Sequence, residues 1–300
     1  HLWYIYLSLT IACAGAYWLA GMNLFDAICH AFSTVAIGGF SNHDASLGYF
    51  NSPLVNIVCT VFLLIAALNF SLHYAAVSSR SVKGYFKDPE FKAFFFIQAT
   101  LILICFLVLV LSGFYESAET ALDQAMIQAV SISTTAGFAT TDFSVWPTFL
   151  PILLIFSSFI GGCASSTGGG LKVVRVCLLF LQGKREVDRL IHPKAVYAVK
   201  LGERAMPDRV VEAVWGFFSA YAVVFVILMV GLIATGLDNL SAFTATAAML
   251  NNLGPGLGSV ASNYADVSDP GKWILVVGMV FGRLEVFSLL VLFSPTFWRS

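Results

Sequence analysis

Three short runs of small, hydroxyl or amide residues, each ending at a glycine, have the chemistry to coordinate a cation. They read Ser33-Thr34-Val35-Ala36-Ile37-Gly38-Gly39, Ser131-Ile132-Ser133-Thr134-Thr135-Ala136-Gly137 and Thr246-Ala247-Ala248-Met249-Leu250-Asn251-Asn252-Leu253-Gly254. Each run follows one long apolar segment and precedes another. Backbone carbonyls at membrane depth cannot face lipid, because an unpaired polar group there is costly. The pattern therefore predicts three re-entrant pore loops, each a short helix followed by an extended turn whose carbonyls line a cation path.

The segments that must position these loops are strongly apolar. Hydrophobic residues make up 58% of the chain and charged residues only 11%, against about 25% charged residues in soluble domains. A spanning helix needs about 20 apolar residues. The uncharged runs are 2–25, 51–77, 93–115, 143–171 and 213–237, and a sixth, 273–298, is interrupted by Arg283 and Glu285. The composition predicts an all-α polytopic membrane protein built from repeated helix, pore-loop, helix units.

The charged residues are divided between the connecting segments. Segments 78–92 and 172–212 hold thirteen of the sixteen Lys and Arg residues against seven acids. The other connections are acidic, with Lys272 as their only base. The positive-inside rule places the basic segments in the cytoplasm and the mouths of the pore loops outside. Because acids are interleaved with the bases at 182–212, this segment favours a protein-docking surface or a solvated loop and not nucleic-acid binding.

A glycine- and serine-rich run, called the glycine loop here, interrupts the fourth apolar segment. It consists of Gly161, Gly162, Cys163, Ala164, Ser165, Ser166, Thr167, Gly168, Gly169 and Gly170. Such a run is too flexible to remain helical, and broken membrane helices persist where they face a cavity. We expect a hinge or gate lining the pore, with a flexible packing break as the alternative. A phosphate-binding loop is disfavoured, because Lys172 is followed by Val173 and not by Ser or Thr.

Arg283 and Glu285 are charged residues within the last apolar run. Intramembrane charge is rare and usually functional. Residues two apart point about 200° apart around a helix, so Arg283 is predicted to face the pore while Glu285 pairs elsewhere. The alternative is that both simply pair with other charges of the fold.

Taken together, these motifs resemble the Trk/Ktr/HKT superfamily of potassium transporters, most closely the TrkH type. The matching stretches are residues 33–41, 133–138 and 251–256, the glycine loop through Lys172, and Gly282-Arg283-Leu284-Glu285. The resemblance implies a pseudo-fourfold cation pore of four helix, pore-loop, helix units. Only three are present, so it implies that the first lies upstream of His1 or elsewhere outside these 300 residues. Serine stands at Ser165, where the family usually has glycine.

The resemblance also assigns roles to residues. Gly39, Gly137 and Gly254 become the filter glycines of the second, third and fourth units, the glycine loop becomes a gate beneath the filter, and Arg283 becomes its pore-facing arginine. The implied filter residues are Ala36, Ile37, Gly38, Gly39, Thr134, Thr135, Ala136, Gly137, Asn251, Asn252, Leu253 and Gly254. Potassium, the transported ion, would bind the carbonyls of Ala36, Ile37, Gly38, Thr134, Thr135, Ala136, Asn251 and Asn252.

Further expectations from the resemblance concern organisation. The units are 1–77, 93–182 and 209–300, with cytoplasmic connections at 78–92 and 183–208. The family implies a homodimer in the bacterial inner membrane, in contact with membrane lipid and regulated by a cytosolic RCK-type nucleotide-binding subunit similar to TrkA. No organic cofactor is expected.

Two other function classes compete with potassium uptake. A broken-helix secondary transporter would bind a cation or small solute at Ser131, Thr134, Thr135, Asn251 and Asn252. Three copies of one pore loop argue against it. An intramembrane enzyme would need paired carboxylates, a GxSxG motif or a His/Glu metal cluster, none of which the sequence contains.

Overall fold

A computed structural model describes residues 2–195, 197–284, 286–292, 294 and 297–299. The described helices are α1 Leu2–Leu19, α2 Leu24–Val35, α3 Pro53–Ala66, α4 Phe70–Ser79, α5 Lys83–Lys87, α6 Pro89–Leu111, α7 Ala118–Ser133, α8 Leu150–Ser158, α9 Val173–Ile191, α10 Asp208–Ala234, α11 Asn239–Leu250, α12 Asp269–Leu284 and α13 Val286–Leu292. Two short strands, β1 Lys200–Leu201 and β2 Arg204–Ala205, form an antiparallel hairpin in the basic segment. The predicted all-α architecture is confirmed.

Three described helices, α1, α6 and α10, are long and apolar enough to cross a membrane, and the bent pair α3–α4 makes a fourth candidate span. Each of the spans α1, α6 and α10 precedes and packs against one short helix, α2, α7 or α11 respectively. These three short helices are called the pore helices. The bounds of α7 and α11 match the pore helices that the sequence predicts at 118–133 and 239–250. Their N-cap side chains are Asn23, Ser117 and Asp238, each accepting a hydrogen bond from a backbone N–H of the first turn.

The segment 51–77 differs from the single helix predicted for it. It bends by 88° between α3 and α4. The Asn69 side chain caps α4 by accepting from the backbone N–H of Ser71 at 2.8 Å, and the carbonyl of Ala67 accepts from the backbone N–H of Cys163 at 2.8 Å. The break therefore pairs its free backbone groups with the glycine loop, which satisfies them away from lipid.

The fourth apolar segment is broken as predicted. Helix α8 ends at Ser158, and α9 begins at Val173. Helix α9 then runs to Ile191, well beyond the apolar run that ends near Leu181, into the charged segment. The last apolar segment is divided into α12 and α13 on either side of Glu285, which lies outside the described residues.

Candidate functional site

The three pore helices end in the same backbone structure. After α2, the backbone N–H of Gly38 donates to Ser33 O at 2.7 Å and that of Ile37 to Thr34 O at 3.0 Å, the pairing of a Schellman motif. After α7, the backbone N–H of Ala136 donates to Ser131 O and that of Thr135 to Ile132 O. After α11, the backbone N–H of Leu253 donates to Ala248 O and that of Asn252 to Met249 O. The turns 36–39, 134–137 and 251–254, called the terminal turns, are thus three copies of one conformation.

Each terminal turn contains two residues with positive φ. The second position is non-glycine, with φ of 52° at Ile37, 69° at Thr135 and 57° at Asn252, and the fourth is Gly39, Gly137 or Gly254. The resemblance picked out these same glycines. Sequence reasoning missed the left-handed conformation of the second position, because Ile and Thr seldom adopt it.

The terminal turns lie against one another in chain order. A Cβ on Gly39 would overlap the carbonyl oxygen of Ala136, and one on Gly137 would overlap the carbonyl oxygen of Leu253. Glycine is required at both positions by contact as well as by φ. The turns after α7 and α11 thus present the carbonyls of their third residues, Ala136 and Leu253, to the glycine of the preceding turn, so the carbonyl ends of three helices converge on one region. Helix C-termini carry about half a negative charge each, which favours a cation there.

The glycine loop contacts the C-terminal ends of all three pore helices. Thr167 Oγ1 donates to Val35 O at 3.0 Å, and the backbone N–H of Gly169 donates to Thr135 Oγ1 at 2.7 Å. A Cβ on Gly168 would lie 2.8 Å from Thr134 O, and one on Gly169 would overlap Asn251 O. The loop therefore covers one side of the converging carbonyls. Ser165, the position at which the resemblance implies a glycine, has a φ of 56°, a conformation in which glycine is favoured.

Two basic side chains bind the carbonyls of this loop. Arg283 Nη1 donates to Thr167 O at 3.2 Å, so the predicted inward-facing arginine contacts the glycine loop. Lys172 Nζ donates to Gly168 O and, at 3.4 Å, to Ser166 Oγ. Sequence reasoning considered Lys172 only as a phosphate-loop lysine. The sequence also predicts that Arg283 does not pair directly with Glu285, and Glu285 lies outside the described residues.

Glu90 is a positioning residue that sequence reasoning missed. Its side chain is buried near the start of α6, and Oε1 accepts from the backbone N–H of Ala164 at 2.6 Å and from that of Val174 at 3.1 Å. One carboxylate oxygen thus holds both ends of the glycine loop. The sequence signal that could have identified Glu90 is its position as an isolated acid at the start of a long apolar run.

Of the five polar side chains proposed for a solute carrier, Ser131, Thr134, Thr135 and Asn251 are engaged within the fold, whereas Asn252 Nδ2 is buried without a hydrogen-bond partner among the described residues. Ser131 Oγ donates to Phe138 O at 2.8 Å, and Thr134 Oγ1 donates to Val130 O at 2.6 Å. Asn251 accepts from Tyr221 OH at 2.6 Å and donates to Ser158 Oγ at 2.9 Å. Of this set, these three side chains stabilise the pore-helix ends, which leaves backbone carbonyls as the main ligands the site offers.

A polar cluster surrounds Asp26 in the first turn of α2. Its carboxylate accepts from Asn42 Nδ2, from Asn23 Nδ2 at 2.8 Å and from His43 Nε2 at 3.1 Å. Burial raises the pKa of the Asp26 carboxyl, but the hydrogen bonds from Asn42 and His43 and the charge of His43 lower it by more, so the net pKa is below its ordinary value. The cluster fixes the segment that follows Gly39.

The family model described as TrkH, a cation transport protein, matches residues 1–300. The chain belongs to the TrkH family. The Trk system potassium uptake protein TrkH of Vibrio parahaemolyticus is 66% identical over 301 residues, and that of Escherichia coli K12 is 59% identical over 299. TrkG of Escherichia coli K12 is 41% identical over 299 residues.

Comparison with solved structures agrees with this assignment. The crystal structure of the potassium transporter TrkH from Vibrio parahaemolyticus matches with a TM-score of 0.95 over 99% of this chain and 64% of that chain. The whole of this chain aligns with both TrkH relatives, but it spans only 62% of the length of each relative. The TrkH family is one of cation transport proteins and not of enzymes, in agreement with the prediction from sequence.

Proposed function

We propose that this chain supplies three of the four pore-loop units of a potassium uptake protein in the bacterial inner membrane. The observation that carries the proposal is the repetition of one terminal turn at the ends of α2, α7 and α11, with Gly39 and Gly137 each packed against a carbonyl of the next turn. The names of the TrkH relatives as potassium uptake proteins support the choice of ion.

In this proposal, potassium exchanges its hydration shell for backbone carbonyls of the terminal turns. The ligands are the eight carbonyl groups named from the resemblance, at positions 36–38, 134–136 and 251–252. The negative ends of the pore-helix dipoles stabilise the ion without a fixed carboxylate. The units are 1–77, 93–182 and 209–300, with basic connections 78–92 and 183–208 in the cytoplasm.

The glycine loop is the proposed gate. It contacts all three pore-helix ends, and Thr134 O and Asn251 O, two of the proposed ligands, lie against Gly168 and Gly169. An ion leaving those carbonyls on the loop side would meet the loop backbone, which supports the proposal that the loop is a barrier in the ion path. Arg283 and Glu90 hold the loop in place, and a regulatory event must release it.

The remaining parts of the proposal are a homodimer and a cytosolic RCK-type subunit similar to TrkA. The basic segment after α9 supplies a suitable docking surface, because it presents exposed bases at Lys194, Lys200 and Arg204. The printed names of the relatives refer to a Trk system, which supports more than one component.

A secondary transporter is the second candidate, because α3–α4 and α8–α9 are both discontinuous at neighbouring sites. The two functions differ in their flux. The full-length protein in liposomes should pass potassium with a rate that follows membrane potential and continues to rise with ion concentration. A rate that saturates at low concentration and needs a second coupled ion would instead support the transporter.

A further inference from the structure

The hairpin of β1 and β2, called the basic hairpin, lies against the N-terminal end of α6. Its turn residue Gly202 contacts the ring of Pro89, because a Cβ on Gly202 would lie 3.2 Å from Pro89 Cγ and 3.5 Å from Pro89 Cβ. Gly202 also has a φ of 62°, in the left-handed region that favours glycine. The hairpin therefore touches the residue immediately before Glu90, whose carboxylate binds the glycine loop at two points.

The basic hairpin is also packed near the first turn of α9. Leu201 of the hairpin and the neighbouring Met206 belong, together with Val174, to an apolar cluster built around the buried residues Leu178, Val199, Val211 and Val214. The backbone N–H of Val174 donates to Glu90 Oε1 at 3.1 Å. The hairpin thus contacts the α6 side of this hydrogen bond through Pro89 and shares an apolar cluster with its α9 side.

Glu90 converts a displacement of these elements into a change at the glycine loop. Pro89 and Glu90 are adjacent in the first turn of α6, so a shift of Pro89 moves the backbone of Glu90. Close-packed interiors transmit such shifts because they contain few voids to absorb them. Glu90 Oε1 accepts from both Ala164 and Val174, and hydrogen bonds weaken steeply as their geometry departs from linear. One movement of the hairpin therefore weakens both bonds.

The outer side of the basic hairpin is accessible to a partner. Lys200 and Arg204 are exposed, against one exposed acid of the hairpin, Glu203. Both bases belong to the docking surface proposed above, and their positive charge suits an acidic protein surface. A protein that binds there would act directly on the hairpin.

We propose that the basic hairpin couples this docking surface to the glycine loop through Pro89 and Glu90. Displacement of the hairpin by an acidic protein surface moves Pro89, and Glu90 then loosens its hold on both ends of the loop. The inference rests on the proposed function, because it takes the glycine loop as the gate. The two can fail separately, since hydrogen exchange of the loop measures the coupling and potassium flux measures the gate.

Hydrogen exchange of the full-length protein, followed by mass spectrometry, tests the coupling. The side chain of Gly202→Val must displace Pro89, so exchange at residues 161–174 should accelerate about fivefold, the size of a coupling between residues in contact. Gly113→Val is the matched control and should leave this exchange unchanged. Gly113 has a similar φ of 65° just beyond the other end of α6, but a Cβ there would meet nothing within 4 Å. Equal acceleration in both variants, or none in Gly202→Val, would overturn the proposal.

Two backgrounds test the route itself. Pro89→Ala removes the ring atoms that the new valine meets, so the double variant with Gly202→Val should exchange at the rate of Pro89→Ala alone. In Glu90→Gln the loop is already held less strongly, so Gly202→Val should add less than about twofold. Acceleration by the full factor in either background would exclude that residue from the route and overturn the proposal.

A second hairpin variant avoids the strain of a side chain at positive φ. Leu201→Ala removes apolar contact with the cluster that contains Val174, so exchange of the loop should accelerate about twofold through easier local opening. Leu190→Ala, at an exposed position of α9, is the control. Unchanged exchange in Leu201→Ala would also overturn the proposal. Faster exchange of the loop without any rise in potassium flux would support the coupling and contradict the gate.

Discussion

Arg283 and Thr167 are joined by a hydrogen bond from the guanidinium Nη1 to a backbone carbonyl oxygen, at 3.2 Å. The bond links α12 to the residue of the glycine loop that also contacts α2 through Val35. A side chain of the last pore unit thus holds the loop that covers the ends of all three pore helices.

Arg283→Ala should increase cation flux. The variant loses a charged hydrogen bond worth about 1.5–3 kcal/mol, and it removes a positive charge that would oppose a passing ion by about 1.7 kcal/mol at ~10 Å and an effective dielectric near 20. Arg283→Lys keeps the charge but loses the planar fork, so its conductance should stay closer to wild type while its gating changes. Potassium flux in liposomes measures both. Lower flux in well-folded Arg283→Ala would contradict a barrier role.

Gly137→Ser should reduce the potassium-to-sodium flux ratio about fivefold. Gly137 has a φ of 87°, which costs a side chain roughly 1 kcal/mol, and a Cβ there would overlap Leu253 O. The carbonyls of two neighbouring turns must shift. Gly113→Ser is the control, because Gly113 also has positive φ but a Cβ there would meet nothing within 4 Å. An unchanged flux ratio in Gly137→Ser would remove this residue from the filter.

Glu90→Gln should loosen the glycine loop. The variant keeps the shape but loses the charge-assisted part of two backbone hydrogen bonds, a difference of about 1 kcal/mol, so flux without the regulatory subunit should rise about fivefold. Hydrogen exchange at residues 161–174 should also accelerate. Glu119→Gln, at an exposed position of α7, serves as the control. The positioning role is wrong if both variants match wild type in flux and exchange.

The ionised carboxylate of Asp26 should stabilise the folded protein, and this stabilisation should be lost in acid. Its folded pKa lies below its ordinary value of 3.8, so the contribution is complete above about pH 4 and is lost as pH falls towards the folded pKa. The difference in Tm between wild type and Asp26→Asn that is measured at pH 5 should shrink below pH 4. The exposed Asp44→Asn should show no such trend. A Tm difference that grows as the pH falls would contradict a folded pKa of Asp26 below its ordinary value.

The elements predicted well from sequence are those with strong local signals. The pore helices α7 and α11 begin after the capping residues Ser117 and Asp238 and end at small or amide residues, so their bounds follow from capping and composition. The break before α9 follows from ten consecutive residues of low helix propensity.

The features that sequence reasoning missed depend on tertiary contacts. In segment 51–77, Asn69 is a local N-cap signal, but the break at Ala67 is stabilised by the backbone N–H of Cys163, far along the chain. Likewise, Glu90 is a single acid whose partners, Ala164 and Val174, lie more than 70 residues away. Such long-range partners leave no periodic pattern in the sequence.

The most direct test of the account is a deletion of Thr167-Gly168-Gly169, the three residues through which the glycine loop contacts the pore-helix ends. The deletion retains the hydrogen bonds from the backbone N–H of Cys163 to Ala67 O and from that of Ala164 to Glu90 Oε1. Potassium flux of the full-length protein in liposomes should rise and become less dependent on the regulatory subunit, while the potassium-to-sodium ratio stays near that of wild type. Abolished flux in a well-folded deletion variant would contradict the account, because the loop would then conduct or support the pore and the gate would lie elsewhere.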